Sequence, residues 1–283
     1  MCHKLPPELR SRVLAFHPHA AELPATICRT ATELFDDFIV QQLEPLRALP
    51  FRVAPAGTTE HVAVLVEPRP HPALEHVVRN AMHFLGPTWQ LQIVHGTDNE
   101  SHIRAAFSPS ELEHVQMLSL GVDNLSPLAH NELMCTHWLW ERVAAERVLV
   151  FQTDSLLRRA GVQHFLRWDY IGAPWREDEL WCVGKPWLMN AGNGGLSLRS
   201  RATMLACLDR APYTRGQCED VYYAENLPKA GGLLAPRATA LRFSVESVMA
   251  ADPFGMHAPY KHLSSDEMAE LLAAIVYSPD TAG

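Results

Sequence analysis

The chain contains 283 residues, of which 47% are apolar, and carries a formal net charge of -8 at pH 7. This length and apolar content suit one large domain, or a domain with an extension, that buries a sizeable core. The negative charge argues against a broad electrostatic affinity for nucleic acid, so no nucleic-acid partner is expected. No apolar run approaches the roughly 20 residues that cross a bilayer, and the amino terminus lacks a secretory-signal pattern, so we expect a cytoplasmic protein without a transmembrane segment.

The cysteine and histidine patterns do not indicate a zinc site. The six cysteines include no C-x-x-C pair, and the fifteen histidines include no H-E-x-x-H spacing. We therefore expect reduced, mostly buried thiols. His17-Pro18-His19 is interpreted as a solvated loop rather than as a pair of metal ligands.

Residues 1–58 differ from the rest of the chain and are predicted to form a helical amino-terminal extension. Apolar residues recur at helical spacing from Ala25 to Leu46. The helix is expected to end at Leu49-Pro50, before a loop at residues 54–59. Packing on the main domain is the expected role of this helix, and binding of a partner is the alternative.

In residues 59–283, short apolar strands alternate with helices. The predicted strands are His61 to Val66, Trp89 to Val94, Val115 to Leu118 and Val148 to Phe151, and the predicted helices include Pro72 to Leu85 and His130 to Ala145. Such alternation predicts an α/β fold with a Rossmann-type, mostly parallel twisted sheet flanked by helices.

The strongest functional candidate follows the last of these strands, which stops at Gln152-Thr153-Asp154. Open α/β sheets bind ligands at the carboxyl ends of their strands, where the backbone is rigid and faces a crevice. Asp154 is therefore predicted to be a functional residue. The alternative is that Asp154 caps a helix, because the residues that follow it suit a helical segment.

Three later segments carry polar residues suited to binding or catalysis. Asn190 to Gly195 precedes a short strand, and its glycines allow either a tight turn or a backbone-lined floor for a polar ligand. Glu219-Asp220 stands at the predicted start of a helix, where the helix dipole alone explains both carboxylates, although one of them can face a site. His257 follows a turn, where a neutral imidazole suits a divalent metal or a phosphate.

Four of the seven tryptophans, Trp168, Trp175, Trp181 and Trp187, fall within one loop-rich region. Flat aromatic faces stack on sugar rings, although buried side chains that anchor loops use the same residue type. Trp168 is predicted to belong to the core. Trp175, Trp181 and Trp187 are candidates for the wall of an acceptor site.

Five segments of the chain carry a family resemblance when they are taken together. In order, they are FQTDS, DYIGAPW, GNGGLSLRS, EDVYY and FSVES. They resemble GT-A-type nucleotide-sugar glycosyltransferase domains, and more closely a family of glycosyltransferase-like domains of unknown function. The resemblance covers about residues 61–263. It implies a GT-A-like fold for residues 59–283 and a nucleotide-sugar-dependent glycosyltransferase activity.

The resemblance also implies roles for individual residues. In GT-A enzymes a strand-end D-x-D segment holds the donor pyrophosphate through a divalent cation, Mn²⁺ or Mg²⁺. Gln152-Thr153-Asp154 occupies that place here, with glutamine at the first acidic position. Asp154 and His257 would be the metal ligands, and Lys261 would contact a phosphate.

Other positions would surround the donor sugar and the acceptor. Asn193, Gly194 and Gly195 match the loop that borders both. Glu219-Asp220 matches the acidic pair that supplies the base in inverting members, and Asp220 is preferred to Glu219 for that role.

The order of the strands places the nucleotide at the amino-terminal half of the sheet. Val66, Glu67 and Arg69 follow the first strand, where Glu67 would contact a ribose hydroxyl and Arg69 a phosphate. His95 and Thr97 follow the second strand at the same edge of the sheet.

The function predicted from these roles is transfer of a sugar from a nucleotide-sugar donor, a UDP-sugar by default, to an unidentified acceptor, with metal assistance and inversion. A sugar nucleotidyltransferase is one alternative, although the chain lacks a glycine-rich basic loop after its first strand. The other alternative is a non-catalytic sugar- or nucleotide-binding module, which the glutamine at position 152 favours.

Overall fold

The computed structural model describes residues 25–179, 182–190 and 192–283, and the side chains of residues 25–29, 186 and 187 are not described. The His17-Pro18-His19 segment therefore lies outside the described residues. The main sheet has six strands: β1 (His61–Glu67), β2 (Gln90–His95), β3 (Val115–Ser119), β4 (Arg147–Phe151), β6 (Tyr170–Pro174) and β7 (Gly192–Ser200). A second, smaller sheet contains β5 (Ser155–Leu157), β8 (Ser244–Val245) and β9 (Gly255–His257).

Helices cover both faces of the main sheet. In the described part of the chain they are α1 (Ala25–Arg47), α2 (Leu74–Leu85), α3 (Glu100–Ala106), α4 (Pro109–Leu112), α5 (Pro127–Met134), α6 (His137–Trp140), α7 (Arg201–Arg210), α8 (Glu219–Asn226), α9 (Arg237–Phe243) and α10 (Ser265–Ala273). None of these helices is long and apolar enough to cross a membrane. The predicted α/β class, with a mostly parallel sheet flanked by helices, is confirmed.

The strand order of the main sheet is β3-β2-β1-β4-β7-β6. Strands β3, β2, β1 and β4 are parallel neighbours, whereas β7 is antiparallel to both β4 and β6. The chain first adds β2 and β3 on one side of β1 and then returns to place β4 on the other side. A crevice for ligands forms outside the carboxyl ends of the strands at such a switch point, which here lies between β1 and β4.

Strands β1, β2 and β4 are buried on both faces, as parallel strands usually are, whereas the edge strand β3 is only partly buried. Along β1, Ala63 and Leu65 pack into one hydrophobic core, while Val62, Val64 and Val66 pack into a second core on the opposite face. This alternation follows from the two-residue period of a strand. The continuous apolar run that predicted a buried strand therefore serves two cores at once.

The segment after Asp154 is a strand, so the predicted helix there is wrong, and Asp154 does not cap one. Leu156 and Leu157 in β5 are almost completely buried, and β5 pairs antiparallel with β9. The side chain of Asn80 in α2 also pairs with the backbone of Leu157, accepting a hydrogen bond at 2.7 Å and donating one at 2.8 Å. These partners are distant in sequence, and together they outweigh the local helical preference.

The predicted helix from His130 to Ala145 is divided into α5 and α6. Each of the two helices has its own amino-terminal cap, since Ser126 accepts a hydrogen bond from Ala129 N and Thr136 accepts one from Leu139 N. The glycine-rich segment is also not a turn before a short strand, because Gly192, Gly194 and Gly195 lie within the nine residues of β7.

The amino-terminal helix α1 packs on the domain. Ala31, Phe35 and Ile39 belong to the same hydrophobic core as β1, and the Phe35 ring lies 5.1 Å from the ring of Tyr260. The apolar face that the sequence left free for a partner is therefore covered within the chain. The division into units 1–58 and 59–283 remains a prediction.

Replacement of Phe35 by alanine tests this packing. Phe35 is 3% exposed, and removal of a buried phenylalanine side chain usually costs about 3–5 kcal/mol because a cavity remains. We expect a loss of this size in the free energy of urea unfolding. The control is Val40→Ala on the same helix, because Val40 is 74% exposed and should change stability by less than about 0.5 kcal/mol. Equal, small effects at both positions would contradict the packing of α1.

Candidate active site

A cavity of about 470 Å³ opens at the carboxyl ends of β1 and β4. Its lining comes from the ends of these strands, the loop before α5 and α5 itself, the start of β7, the start of α8, and β9 with the turn that follows it. Most of the predicted site residues line it: Val66, Glu67, Arg69, Gln152, Thr153, Asp154, Asn193, Gly194, Gly195, Glu219, Asp220, His257 and Lys261. We call this space the first cavity.

Two predicted nucleotide contacts do not line the first cavity. His95 is buried, and its Nδ1 lies 2.7 Å from the carbonyl oxygen of Gly96. Thr97 is exposed, and its hydroxyl donates a hydrogen bond to Asp98. The backbone of Thr97 pairs with Val122, so the loop after β3 lies over the end of β2. Strand order alone could not reveal this loop.

The three tryptophans predicted to form an acceptor wall differ in location and in how far the structure describes them. Trp175 is buried and lines a second, smaller cavity. Trp181 lies outside the described residues. Trp187 belongs to a short 3₁₀ turn, but its side chain is not described. Trp168, predicted to belong to the core, is partly buried and packs against the hydrophobic core that contains Ala63 and Leu65.

Glu67 and Arg69 form one hydrogen-bonded unit at the end of β1. Glu67 Oε1 accepts hydrogen bonds from the backbone N and Nε of Arg69 at 2.9 and 2.8 Å, and Oε2 accepts one from Nη2 at 2.8 Å. Burial favours the neutral carboxyl, but the contacts with Arg69 outweigh it and hold the pKa of Glu67 below its usual value. The Arg69 side chain remains 54% exposed, so its charge is available at the mouth of the cavity.

Asp154 is the centre of a polar cluster. Its Oδ1 lies 3.2 Å from His257 Nε2, and its Oδ2 accepts a hydrogen bond from Lys261 Nζ at 3.1 Å. The same Nε2 is 3.0 Å from Gln152 Oε1, while Nδ1 of the ring lies 3.1 Å from Glu246 Oε1. The small sheet creates this arrangement, because β5 begins one residue after Asp154 and pairs with β9, which ends at His257.

The charges in this cluster stabilise one another. Burial favours the neutral form of Asp154, yet His257 and Lys261 outweigh it and hold the pKa of this carboxyl far below its usual range. Burial likewise disfavours a charged His257, but Asp154 and Glu246 raise the pKa of the imidazole to about 9. In the absence of another cation, His257 is therefore an imidazolium at neutral pH.

The same atoms fit a divalent cation. When Nδ1 of His257 carries the proton and donates it to Glu246, Nε2 presents a lone pair to the oxygens of Asp154 and Gln152. Such a convergence of acceptors needs either a proton or a cation, and nitrogen and oxygen donors of this kind suit Mn²⁺ or Mg²⁺. A carboxylate that orients a ligand histidine, as Glu246 would, is usual in metal sites. No cluster of three or more histidine, cysteine or carboxylate ligands occurs among the described residues, so the amide of Gln152 would have to serve as the third ligand.

The glycine at position 195 allows His257 to approach the sheet. A Cβ atom at this position would overlap the imidazole ring of His257. The ring therefore lies directly on the backbone of β7, and any side chain at position 195 would displace it.

Glu219 is held by a buried ion pair with Arg199 of β7. Nη1 and Nη2 of Arg199 donate to the two carboxylate oxygens at 2.7 and 2.8 Å, and Nη2 also donates to the Gly194 carbonyl at 3.2 Å. Arg199 is completely buried, and the rings of Tyr170, Tyr223 and Trp140 surround its guanidinium group. Both oxygens of Glu219 are thus engaged, so this residue is poorly placed to accept a proton from a ligand.

Asp220, the next residue, has a different environment. Its Oδ1 accepts a hydrogen bond from Val221 N at 2.7 Å, and its Oδ2 accepts one from Gly194 N at 3.3 Å. Burial, together with the nearby charge of Glu219, raises the pKa of Asp220 to about 7. A carboxyl group that titrates near neutrality and lines a cavity can serve as a general acid or base.

Sequence reasoning did not identify Arg199, His130 or Asn131. Asn131 Oδ1 accepts a hydrogen bond from Glu219 N at 3.3 Å, and His130 lines the first cavity. His130 Nε2 is buried and has no hydrogen-bond partner among the described residues. The one available signal was Arg199 itself, because a charged residue in an otherwise apolar strand requires a buried partner.

The fold and cavity together define an α/β protein with a ligand site at the carboxyl ends of its parallel strands. The chain belongs to the family described as Protein of unknown function (DUF5672), whose profile matches residues 116–257. This span runs from β3 to β9 and includes Asp154, Asp220 and His257. No curated protein matches the chain.

Several solved structures share part of the chain trace. Galactosyltransferase LgtC in complex with donor and acceptor sugar analogs aligns with a TM-score of 0.48 at 11% identity over 77% of this chain and 98% of that one. Mannosyltransferase PcManGT from Pyrobaculum calidifontis, in complex with GDP-Man and Mn²⁺, gives 0.42 at 14% over 74% and 65%. The apo form of glycosyltransferase GlyE from Streptococcus pneumoniae TIGR4 gives 0.45 at 9% over 76% and 60%. Identities this low do not assign an activity to the chain.

The raised pKa of Asp220 predicts a pH dependence of stability. The folded protein holds this proton up to a pH of about 7, whereas the carboxyl in the unfolded chain loses it near its ordinary value of 3.8. Stability from this group is therefore fully present below about pH 4 and is lost as the pH rises to about 7. Urea unfolding of wild type and Asp220→Asn over this range measures the effect. We expect the wild-type free energy of unfolding, minus that of the variant, to fall from pH 4 to 7. A constant difference would show that Asp220 titrates in its ordinary range.

Proposed function

We propose that this protein transfers a sugar from a nucleotide-sugar donor to a hydroxyl group of an acceptor. The observation that carries the proposal is that one cavity contains both a polar cluster suited to binding a diphosphate and a carboxyl group with a pKa near 7. The cluster consists of Asp154, His257 and Lys261, and the carboxyl group is that of Asp220. The resemblance of the sequence to GT-A-type domains supports the same function.

The diphosphate of the donor would bind between Arg69 and Lys261, which bring positive charge to the first cavity. The Lys261 ammonium group is about half exposed beside Asp154, so it is free to rotate toward a phosphate oxygen. If a divalent cation binds, Asp154, His257 and Gln152 would hold it. A bound Mn²⁺ or Mg²⁺ would neutralise negative charge on the leaving diphosphate.

Asp220 would act as the base. As its ionised carboxylate accepts the proton of the acceptor hydroxyl, the acceptor oxygen bonds to the anomeric carbon of the sugar. The bond between that carbon and the phosphate oxygen breaks, and its electron pair leaves with the nucleoside diphosphate. A single displacement of this kind inverts the anomeric centre. A pKa near 7 suits proton transfer at neutral pH.

Glu219 would be a positioning residue in this mechanism. Its ion pair with Arg199 fixes the start of α8 and holds Asp220 against the backbone of Gly194. Its negative charge also contributes to the raised pKa of Asp220. Glu219 would thus position the start of α8, and Asp220 would accept the proton.

The alternative function is a non-catalytic sugar- or nucleotide-binding module. Gln152 favours it, because an amide replaces a carboxylate at the first acidic position of the D-x-D place and weakens the attraction for a cation. Asp220 favours an enzyme, because binding alone does not require a carboxyl group with a pKa near 7. Turnover of a nucleotide sugar distinguishes the two functions.

Nucleotide binding tests the donor site directly. We expect calorimetry with UDP, GDP and CMP to detect one preferred nucleotide, with UDP as the first choice and Mn²⁺ strengthening its binding. Asp154→Ala should remove the effect of Mn²⁺ because it removes the only carboxylate among the three proposed metal ligands. Asp266→Ala, an exposed position in the first turn of α10, is the matched control. The absence of nucleotide binding under all conditions would contradict the donor site.

Replacement of Asp220 by asparagine tests the base. Loss of a general base usually lowers a rate by about 10²–10⁴-fold, so we expect transfer, or hydrolysis of the donor by water before an acceptor is known, to fall by this factor. Nucleotide affinity should persist, because no proposed phosphate contact changes. Activity retained at the wild-type level would remove Asp220 as the base.

A further inference from the structure

A second cavity of about 200 Å³ adjoins the first, and Asn193 and Asp220 line both. Asp220 therefore stands at the boundary between the two spaces. A ligand in the second cavity could therefore contact Asp220 without entering the first cavity. This is the position that an acceptor hydroxyl requires if the donor occupies the first cavity.

The two cavities differ in their basic residues. The lining of the first includes Arg69 and Lys261, whose side chains donate hydrogen bonds to the carboxylates of Glu67 and Asp154. The described lining of the second contains three acidic residues, Glu179, Asp220 and Glu246, and no lysine or arginine. His262 is the only basic side chain among these residues.

Glu179 is the least neutralised of the three carboxylates. Glu246 pairs with His257, and Asp220 accepts two backbone hydrogen bonds. By contrast, the Glu179 carboxylate has no hydrogen bond or ion pair with any described residue. Burial raises the pKa of Glu179, and the neighbouring Asp178 and Glu246 add to the effect, while His262 opposes it. An unpartnered, half-buried carboxylate is an acceptor for ligand O–H or N–H groups.

The other walls suit a ring with an apolar face. Trp175 and Val221, both buried, line the cavity beside the carboxylates. Hydroxyl donors that face carboxylates, and C–H groups that face an indole, together describe a sugar. A phosphate or carboxylate group would instead meet like charge in a partly desolvated space.

We propose that the second cavity receives the acceptor and that this acceptor is a sugar with a neutral or positively charged ring, not one that carries a phosphate or carboxylate group. The inference rests on the proposed function, because only a transferase needs an acceptor at this position. Charge would then select the acceptor that enters the second cavity.

Cys218 provides a probe of the charge. Its thiol is free and exposed and belongs to the lining of the second cavity. Methanethiosulfonate reagents transfer a thioalkyl group to a thiolate, which forms a mixed disulfide and releases methanesulfinate. The rate constant for a trimethylammonium reagent is divided by the rate constant for a sulfonate reagent. This ratio is then divided by the same ratio measured with free 2-mercaptoethanol, and the result reports the local electrostatic potential at the thiol. Peptide mapping and the Cys218→Ser variant correct for the other thiols.

We expect this ratio to exceed about ten at Cys218 and to fall in Glu179→Gln. Glu177→Gln is the matched control, because Glu177 is exposed two residues away and does not line the cavity. The partial positive charge at the start of α8, which Cys218 precedes, favours the anionic reagent, so a cationic preference would report the carboxylates. A ratio at or below one would overturn the proposal.

Paired acceptors separate this inference from the proposed function. The rate of sugar transfer is measured with methyl glycosides, amino sugars and the matching uronic acids as acceptors. The donor is the nucleotide sugar whose nucleotide binds most tightly. Use of the neutral or amino member at least ten times faster than the uronic acid supports the proposal, and Glu179→Gln should narrow the difference without a change in nucleotide affinity. Equal use of the uronic acid overturns the proposal while the transferase function stands. Absence of transfer to any acceptor overturns the proposed function, and the inference with it.

Discussion

The buried ion pair between Arg199 and Glu219 joins the central sheet to the helix that carries Asp220. Two charges are expensive to bury, and they are tolerated when the geometry is bidentate and the remaining donors are satisfied. Here the guanidinium group also donates to Ser197 and to the Gly194 carbonyl, and aromatic rings enclose it. The pair therefore fixes three things together: the start of α8, the glycine backbone of β7 and the field in which Asp220 titrates.

Around this anchor the basic side chains are unevenly distributed. Lys261 and His257 flank Asp154 at the ends of β4 and β9. The described lining of the smaller cavity contains Glu179, Asp220 and Glu246 but no lysine or arginine. In the proposed transfer, negative charge would develop on the leaving diphosphate, where basic side chains stabilise it.

Local sequence signals predicted the parts of the fold that depend on local physics. The apolar runs of β1 and β4 and the position of Glu219-Asp220 at a helix start follow from residues within one turn or strand. The segment after Asp154 did not, because β5 is stabilised by β9, which lies about 100 residues further along the chain. The same distance explains why the sequence suggested His257 as a ligand but could not place it against Gln152 and Glu246.

The sequence predicted many of the residues that line the first cavity, but not their environments. Glu219 and Asp220 both lie in the first turn of α8, so their position in the helix does not distinguish them, and only the family resemblance favoured Asp220. Their difference comes from Arg199, which neutralises one carboxylate and leaves the other in a partly desolvated position. His95 and Thr97 failed to reach the cavity for a similar reason, because the loop after β3 covers the end of β2.

The packing of Tyr260 on Phe35 extends the site into the amino-terminal helix. Tyr260 and Lys261 share the short 3₁₀ turn Pro259–Lys261, so the ammonium group beside Asp154 rests on a turn that α1 supports. Loss of α1 would remove Phe35 from the core and expose the underside of this turn to water. Helix α1 is therefore part of the support for the side chain that pairs with Asp154, although the two lie more than 100 residues apart in sequence.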